Sequence, residues 1–386
     1  MKRLFEILER AFRHAVAYPV LRKIFRNKMS REPLDLGKVE RILIFRFDRI
    51  GDMIVTSPVF KALKTRNPKI HIGVIASSIN KELVVNNPYV DEVYVLKKNW
   101  RALISQLLQI RRQKYDVLLN FIFNRTTSPG ILANLVAPKG YKVGQGPDRY
   151  AFYFNRLLAL PRFERHMAET LMLFIEQVFG IKVSDEERGL EVQVPQAARD
   201  QVDRFLNAQA LRRRSHMDEK LYPYVLLNLS VKDRKRQFSE DQIAALVTYL
   251  SEREGVKIVL LIAPGDDDME HTVAMVPELR GIPAYRGMGD RPLMQLASLV
   301  EGAMCVITMD TSLVHFASAM QTPVLAFYTE QVLVKEWSPY RVPHGILLTP
   351  AKKSISGIPI ESVIRKTDEF ITATFPGGLP AIPRSS

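Results

Sequence analysis

From residue 39 onward, short β-branched apolar runs alternate with longer stretches whose apolar residues recur at helical spacing. That alternation predicts a βα architecture. In the first half, residues 41–47, 71–76, 92–96, 116–123 and 141–144 read as strands, and 57–65, 81–86, 100–112 and 130–136 read as helices. A long helix at 166–179 closes the half. Strands joined through helices favour a parallel sheet covered on both faces. Periodicity weakens over 182–223, apart from a helix at 197–209 and a charge-dense stretch at 212–220, and the domain hinge is expected within this region. A second βα series follows, with strands at 224–229, 256–262, 305–309 and 324–328 and helices at 241–254, 269–276, 293–300 and 312–320. A helix at 360–370 and a Pro/Gly-rich tail end the chain. The expected division is a basic extension at 1–38, Rossmann-like domains at 39–195 and 196–350, and a terminal helix and tail at 351–386. Two domains fit a length of 386 residues, since single cores stop growing at about 250–300.

Charge adds a statement about partners. The chain carries a net +14, an excess that attracts nucleic acid, anionic lipid or phosphorylated substrates. Residues 1–28 hold eight bases against Glu6 and Glu9, a net +6. They also place Leu4, Leu8, Phe12, Ala15, Val16, Val20 and Ile24 at helical spacing, with Pro19 as a kink or break. Two readings stay open: an interfacial helix on the inner face of the cytoplasmic membrane, or a helix packed on the protein. No apolar run approaches the roughly 20 residues needed to span a bilayer. Cys305 is the sole cysteine, so no internal disulfide forms, and a cytoplasmic location is expected. Nucleic acid is disfavoured because the bases are not interleaved with aromatic stacking platforms.

Chemistry is expected at the carboxyl ends of the strands. After residues 41–47 comes Asp48-Arg49-Ile50-Gly51-Asp52. Glycine there permits close backbone approach, and Asp52 is either a general base or a helix cap, with the helix starting at Asp52 or at Pro58. After 305–309 comes Asp310-Thr311-Ser312-Leu313-Val314-His315. The free amides of Thr311, Ser312 and Leu313 suit a pyrophosphate, and plain capping suits them equally. His315 reads as a core histidine. Lys232, Arg234, Lys235 and Arg236 follow the strand at 224–229, as a clamp for a leaving diphosphate or as a solvated charge run. Gly265-Asp266-Asp267-Asp268 offers carboxylates to ribose hydroxyls or, less favoured, to Mg²⁺ or Mn²⁺. No phosphate-loop, dinucleotide or zinc-spacing motif is present.

Residues 41–63 (RILIFRFDRIGDMIVTSPVFKAL) and 304–328 (MCVITMDTSLVHFASAMQTPVLAFY) resemble the two signatures of glycosyltransferase family 9, the heptosyltransferases. Between them NPYVDEVYVL, YDVLLNF, GYKVG and RKRQFS fall in the family's order. The resemblance implies a GT-B fold of two Rossmann-like lobes facing across a cleft. It implies inverting, metal-independent transfer without a cofactor, from a nucleotide-diphosphate sugar such as ADP-heptose to an anionic lipopolysaccharide core acceptor. By position it makes Asp52 the base and places Lys235, Arg236, Asp266, Asp310, Thr311, Ser312 and Leu313 at the donor. Gly51, Arg125 and Lys142 are assigned to the acceptor, with Lys139 and Arg149 as further bases. Ser312 stands where the family has Gly, Gln237-Phe238-Ser239 replaces its Trp-Pro, and residues 1–38 lie outside the match. Alternatives are a transferase of another surface glycan using a different nucleotide sugar, and a nucleotide-sugar-binding protein without turnover.

Overall fold

The computed structural model describes residues 18–25, 27–123, 127–216, 218, 220–253, 255–287, 292–350 and 354–377. The chain forms two compact units: Met1–Arg49, Val59–Pro161 and Thr170–Ser184 make the first, and Ile50–Pro58, Arg162–Glu169 and Asp185–Ser386 the second.

The first unit is built on six parallel strands: β1 (Arg41–Phe45), β2 (His71–Ala76), β3 (Glu92–Val95), β4 (Val117–Asn120), β5 (Tyr141–Gln145) and β6 (Arg156–Leu158). Their order is β3-β2-β1-β4-β5-β6, so the direction of winding reverses between β1 and β4. Every residue of β4 is buried, without inside–outside alternation, as expected for a strand covered on both faces. Leu43 and Phe45 of β1, Ile75 of β2 and Leu118 of β4 share a core with Ile110 and Ala133 from the covering helices Trp100–Arg112 and Thr127–Val136.

The start of the described chain packs on this unit. In the helix Tyr18–Ile24, the Tyr18 hydroxyl lies 3.0 Å from Thr127 Oγ1 and its ring meets Tyr150 edge-on at 5.9 Å. Asn27 Nδ2 donates to Asn134 Oδ1 and to the Phe152 carbonyl, both at 3.0 Å. Packing thus holds over this piece, while Val20 and Ile24 remain 51% and 62% exposed. Leu4, Leu8, Phe12, Ala15 and Val16 lie outside the described residues.

The second unit repeats the plan with β7 (Tyr224–Asn228), β8 (Lys257–Leu261), β9 (Ala284–Tyr285), β10 (Cys305–Met309), β11 (Val324–Tyr328) and β12 (His344–Leu348). The order β12-β11-β10-β7-β8-β9 is again parallel throughout and reverses between β7 and β10. Leu227, Leu260, Ile307, Leu325 and Phe327 form its centre, closed by Phe370 and Ile371 of the helix Ile360–Thr374. Cys305 is wholly buried within β10, and burial pushes its thiol up to about 12, as suits a small hydrophobe rather than a reactive group. Among the described residues no helix is long and apolar enough to cross a membrane.

The α/β class and two parallel Rossmann-like sheets agree with the sequence reading, but the sheets have six strands each where five and four were expected. The additions β6, β9 and β12 are all sheet edges, and β6 and β9 are only three and two residues long. The helix Gln331–Trp337 was also not expected, since its Val-Leu-Val core has strand-like composition.

Candidate functional site

The reversal point between β7 and β10 in the second unit is where a doubly wound sheet opens for a ligand. Asn228 at the end of β7 donates through Nδ2 to Thr308 Oγ1 of β10 at 3.0 Å, tying the two strand ends together. Beyond β7 the chain turns through the 3-10 turn Arg234–Arg236, which Asp233 caps by accepting from the Lys235 amide at 3.1 Å. That turn delivers Arg236 to the end of β10. Its Nη1 donates to Asp310 Oδ2 at 2.9 Å and to the Asp310 carbonyl at 2.8 Å. The two side chains are only 25% and 11% exposed, so the pair is largely withdrawn from water, and Arg236 Nε is buried without a hydrogen bond, with Asp233 Oδ2 facing it at 4.0 Å. At 4.0 Å the Asp233 carboxylate balances charge without making a hydrogen bond, so that donor can still take a closer acceptor.

The helix Ser312–Ala319 opens directly after Asp310. Thr311 is its N-cap and its hydroxyl accepts from the Leu313 amide at 3.3 Å, so capping is what the structure displays at this end. Lys235 is exposed to solvent. Asp266 caps the helix Asp267–Met275 by accepting from the Met269 amide at 3.4 Å, and Asp268 pairs with Arg234. Among the described residues no group of three or more His, Cys, Asp or Glu side chains is arranged to hold a metal ion. Phe238 and Ser239, where the family pattern has Trp-Pro, have structural work. Phe238 is buried edge-on against Phe327 at 4.9 Å, and Ser239 forms a capping box with Gln242.

Asp52 belongs to the second unit as well. It is the third residue of the short helix Ile50–Ile54, so it does not occupy an N-cap. A second helix, Ser57–Arg66, begins three residues later, which resolves the two possible starts into two helices. The join is fixed by Thr56 Oγ1 donating to the Asp52 carbonyl at 2.8 Å and Ser57 Oγ donating to the Ile54 carbonyl at 2.7 Å. Ile50–Ile54 packs on Ser312–Ala319, the helix that follows Asp310. The contact is close at one point. A Cβ on Gly51 would lie 2.6 Å from Cδ2 of His315, so glycine is required here for room rather than for an unusual φ.

His315 is buried, as its sequence setting implied, but it is not a satisfied core histidine, because its Nδ1 is enclosed without a hydrogen-bond partner. Its ring meets Trp337 edge-on at 5.7 Å and His166 at 6.4 Å, and His166 in turn stacks on Tyr340 at 4.4 Å. Nearby, Glu336 is fully buried and takes a bidentate contact from Arg162, whose Nη2 donates to Oε2 at 2.8 Å. Pattern reasoning missed this group, since single His, Glu and Arg residues in amphipathic stretches carry no motif.

Burial pulls His315 down to about 4 and, with repulsion from His315 added, His166 down to about 3. Both are neutral when folded at pH 7, and the unfolded chain binds more protons below about pH 6.5. Stability is therefore complete above pH 6.5 and is lost as the pH falls toward 4. Urea unfolding of the second unit should weaken by about 2 kcal/mol per histidine between pH 6.5 and 5. A His315→Leu variant should lose part of that slope, and an unchanged slope would contradict the burial argument.

The residues assigned to the acceptor fare differently. Arg125 lies outside the described residues. Lys142 is 1% exposed, and its ammonium is enclosed by main-chain carbonyls, donating to Gly140 at 2.7 Å and Ala137 at 3.1 Å. Desolvation lowers it to about 8, and its position ties the turn before β5 rather than presenting a charge to solvent. Lys139 and Arg149 are exposed, with Arg149 over the Tyr150 ring at 5.0 Å.

The chain matches the profile of glycosyltransferase family 9 (heptosyltransferase) over residues 101–356. It is 22% identical over 352 residues to lipopolysaccharide heptosyltransferase 3 of Escherichia coli, covering 84% of this chain and 96% of that protein. A solved family 9 glycosyltransferase from Veillonella parvula superposes with a TM-score of 0.72 at 22% identity, over 88% of this chain and 98% of the other. The Escherichia coli ADP-heptose lipopolysaccharide heptosyltransferase II does so with a TM-score of 0.66 at 18% identity, over 86% and 98%. These likenesses give the fold as GT-B type. Since the profile spans well over half of its length, the chain belongs to glycosyltransferase family 9 and is a glycosyltransferase.

Proposed function

We propose that this enzyme is an inverting transferase that moves a heptose from ADP-heptose to the core of a lipopolysaccharide acceptor. One observation carries the reading: Arg236 and Asp310 are joined at the carboxyl end of β10, and the helix bearing Asp52 packs on the helix that starts there. In the proposed step an acceptor hydroxyl attacks the anomeric carbon in line, forming the new glycosidic bond as the bond to the diphosphate oxygen breaks. Asp52 takes the hydroxyl proton. The diphosphate leaves with its electron pair and gains negative charge, which Arg236 and the amides of Thr311, Ser312 and Leu313 stabilise. Arg236 Nε, which makes no hydrogen bond and faces Asp233 only at 4.0 Å, supports that role, whereas the Leu313 amide must first give up its bond to Thr311. Asp266 is assigned to the ribose hydroxyls and Lys235 to the outer rim of the diphosphate site. Gly51 and Arg125 stay with the acceptor. Lys142 is not carried forward, because its ammonium is already enclosed by carbonyls. The proposed location is cytoplasmic, peripheral on the inner membrane face, with residues 1–28 contributing charge.

Nucleotide preference tests the donor assignment. Purified enzyme with a deacylated core acceptor should transfer from ADP-heptose, ADP should inhibit more strongly than UDP or GDP, and activity should survive EDTA. Complete loss on chelation, restored by Mg²⁺ or Mn²⁺, would instead place a metal at Asp266–Asp268. Transfer only from a UDP- or GDP-linked sugar would overturn ADP-heptose as the donor.

A further inference from the structure

The helix Trp100–Arg112 of the first unit has two dissimilar apolar sides. Leu107 and Ile110 face the core, whereas Trp100, Ile104 and Leu108 are 64%, 50% and 48% exposed. The exposed three are spaced i, i+4, i+8 and therefore form one row along the helix. Lys97, Lys98, Arg101, Arg111, Arg112 and Lys114 surround that row, all exposed, and no Asp or Glu occurs from Val93 to Tyr115. At roughly 100° per residue, Arg101, Arg111 and Arg112 fall on the same side of the helix as the row. None of the six bases is in an ion pair among the described residues. The Arg101 guanidinium lies over the Trp100 ring at 5.1 Å. The helix is also anchored independently of this face. Asn99 caps it by accepting from the Arg101 amide at 3.0 Å, and Gln106 Nε2 donates to the Val95 carbonyl at 3.0 Å. The adjoining helix Thr127–Val136 exposes a further apolar side chain, Leu135.

An apolar row of three large side chains would be a solubility cost without a partner, and a net +6 with no acid selects a negatively charged one. We propose that Trp100–Arg112 is an interfacial helix that seats the first unit on an anionic phospholipid surface. Trp100, Ile104 and Leu108 enter the headgroup–acyl boundary, Arg101, Arg111 and Arg112 meet lipid phosphates, and Lys97, Lys98 and Lys114 add positive charge at the helix ends. Trp at the end of such a helix suits the interface, where its ring is half in hydrocarbon and its N–H stays wet. A second copy of the chain fits less well, because two basic segments without an acid would repel. The inference does not depend on the sugar or acceptor proposed above, nor on residues 1–28.

The full-length protein is titrated with vesicles of phosphatidylcholine alone and of phosphatidylcholine with 30–40% phosphatidylglycerol, roughly a bacterial surface charge density. Co-sedimentation and tryptophan emission are followed. Binding should require the anionic lipid and weaken at high salt. Emission should shift to the blue and be quenched by lipids brominated near the headgroup. The Trp100→Phe protein, which keeps Trp337, should lose that shift and still bind. Trp100→Ser/Ile104→Ser/Leu108→Ser should bind at least about 10-fold more weakly, with an unchanged circular dichroism spectrum and unchanged transfer to a soluble acceptor. Equal binding by the triple variant, or Trp100 emission unmoved by vesicles that do bind the protein, would overturn the proposal and leave attachment to another segment. So would self-association abolished by the triple variant without any binding to vesicles.

Discussion

The Asp52→Asn enzyme should bind its nucleotide sugar with wild-type affinity and turn over about 10²–10⁴-fold more slowly, the range for loss of general-base assistance. The substitution is close to isosteric and leaves the Asp52 carbonyl free to accept from Thr56 Oγ1, so the join between the two short helices is preserved. Asp52 stands inside the helix Ile50–Ile54 rather than at its N-cap, so loss of a cap does not supply a competing explanation for a fall in rate. Donor titration by fluorescence or calorimetry, with single-turnover transfer, separates the two quantities. Weaker binding with unchanged turnover would make Asp52 a donor contact. Unchanged values of both would remove it from the chemistry.

Why Asp52 could be picked out while its surroundings could not is a matter of sequence distance. β1, β4, β7 and β10 announce themselves as apolar runs because they lie at the middle of parallel sheets and have no solvent face. Position at the ends of those runs was enough to single out Arg236 and Asp310, which the structure joins through a 2.9 Å pair. The strands β6 and β9 were illegible because edges of two or three residues hold too little apolar sequence to form a pattern. β12 opens with His344-Gly345 directly after Pro343, residue types that do not favour a strand, and is one because β11 supplies a partner. Lys142 illustrates the opposite failure. Its residue type and place near a strand favoured a surface base, and nothing in the local sequence foretold that the Ala137 and Gly140 carbonyls would enclose it.

The group around His315 was the least legible part, and it bears on the reaction through position. Arg162 reaches Glu336, and His166 reaches Tyr340, only after folding, and no periodicity or spacing joins either pair. Their consequence is that the buried His315 ring is flanked by Trp337 and His166, which limits how far it can turn. That makes Gly51 a position where one methyl group matters. Ser312, in place of the family's Gly, is tolerated at the first residue of its helix, whereas Gly51 faces a ring at the distance of a clash.

Gly51→Ala should therefore lower turnover by about 10²-fold while leaving the protein folded. The new methyl would sit 2.6 Å from His315 Cδ2 and 3.2 Å from its Nε2. The first distance is shorter than real contacts allow, so either the ring or the helix Ile50–Ile54 must move. The buried ring is flanked by Trp337 and His166, and the five-residue helix is the softer partner. Overpacking of this kind costs about 1–3 kcal/mol, and alanine recovers about 1 kcal/mol of helix propensity over glycine, so the net change in stability is small. Asp52 is the next residue and moves with the helix. A displacement near 1 Å at a proton acceptor is enough for a loss of about 10². The double variant Gly51→Ala/His315→Ala makes room for the methyl and should recover at least about 10-fold of that loss. Recovery would identify His315 as a positioning residue that acts through the helix, since a group with its own part in the chemistry could not be removed to advantage. Wild-type turnover in Gly51→Ala, or a double variant slower than either single one, would contradict this account of how Asp52 is held.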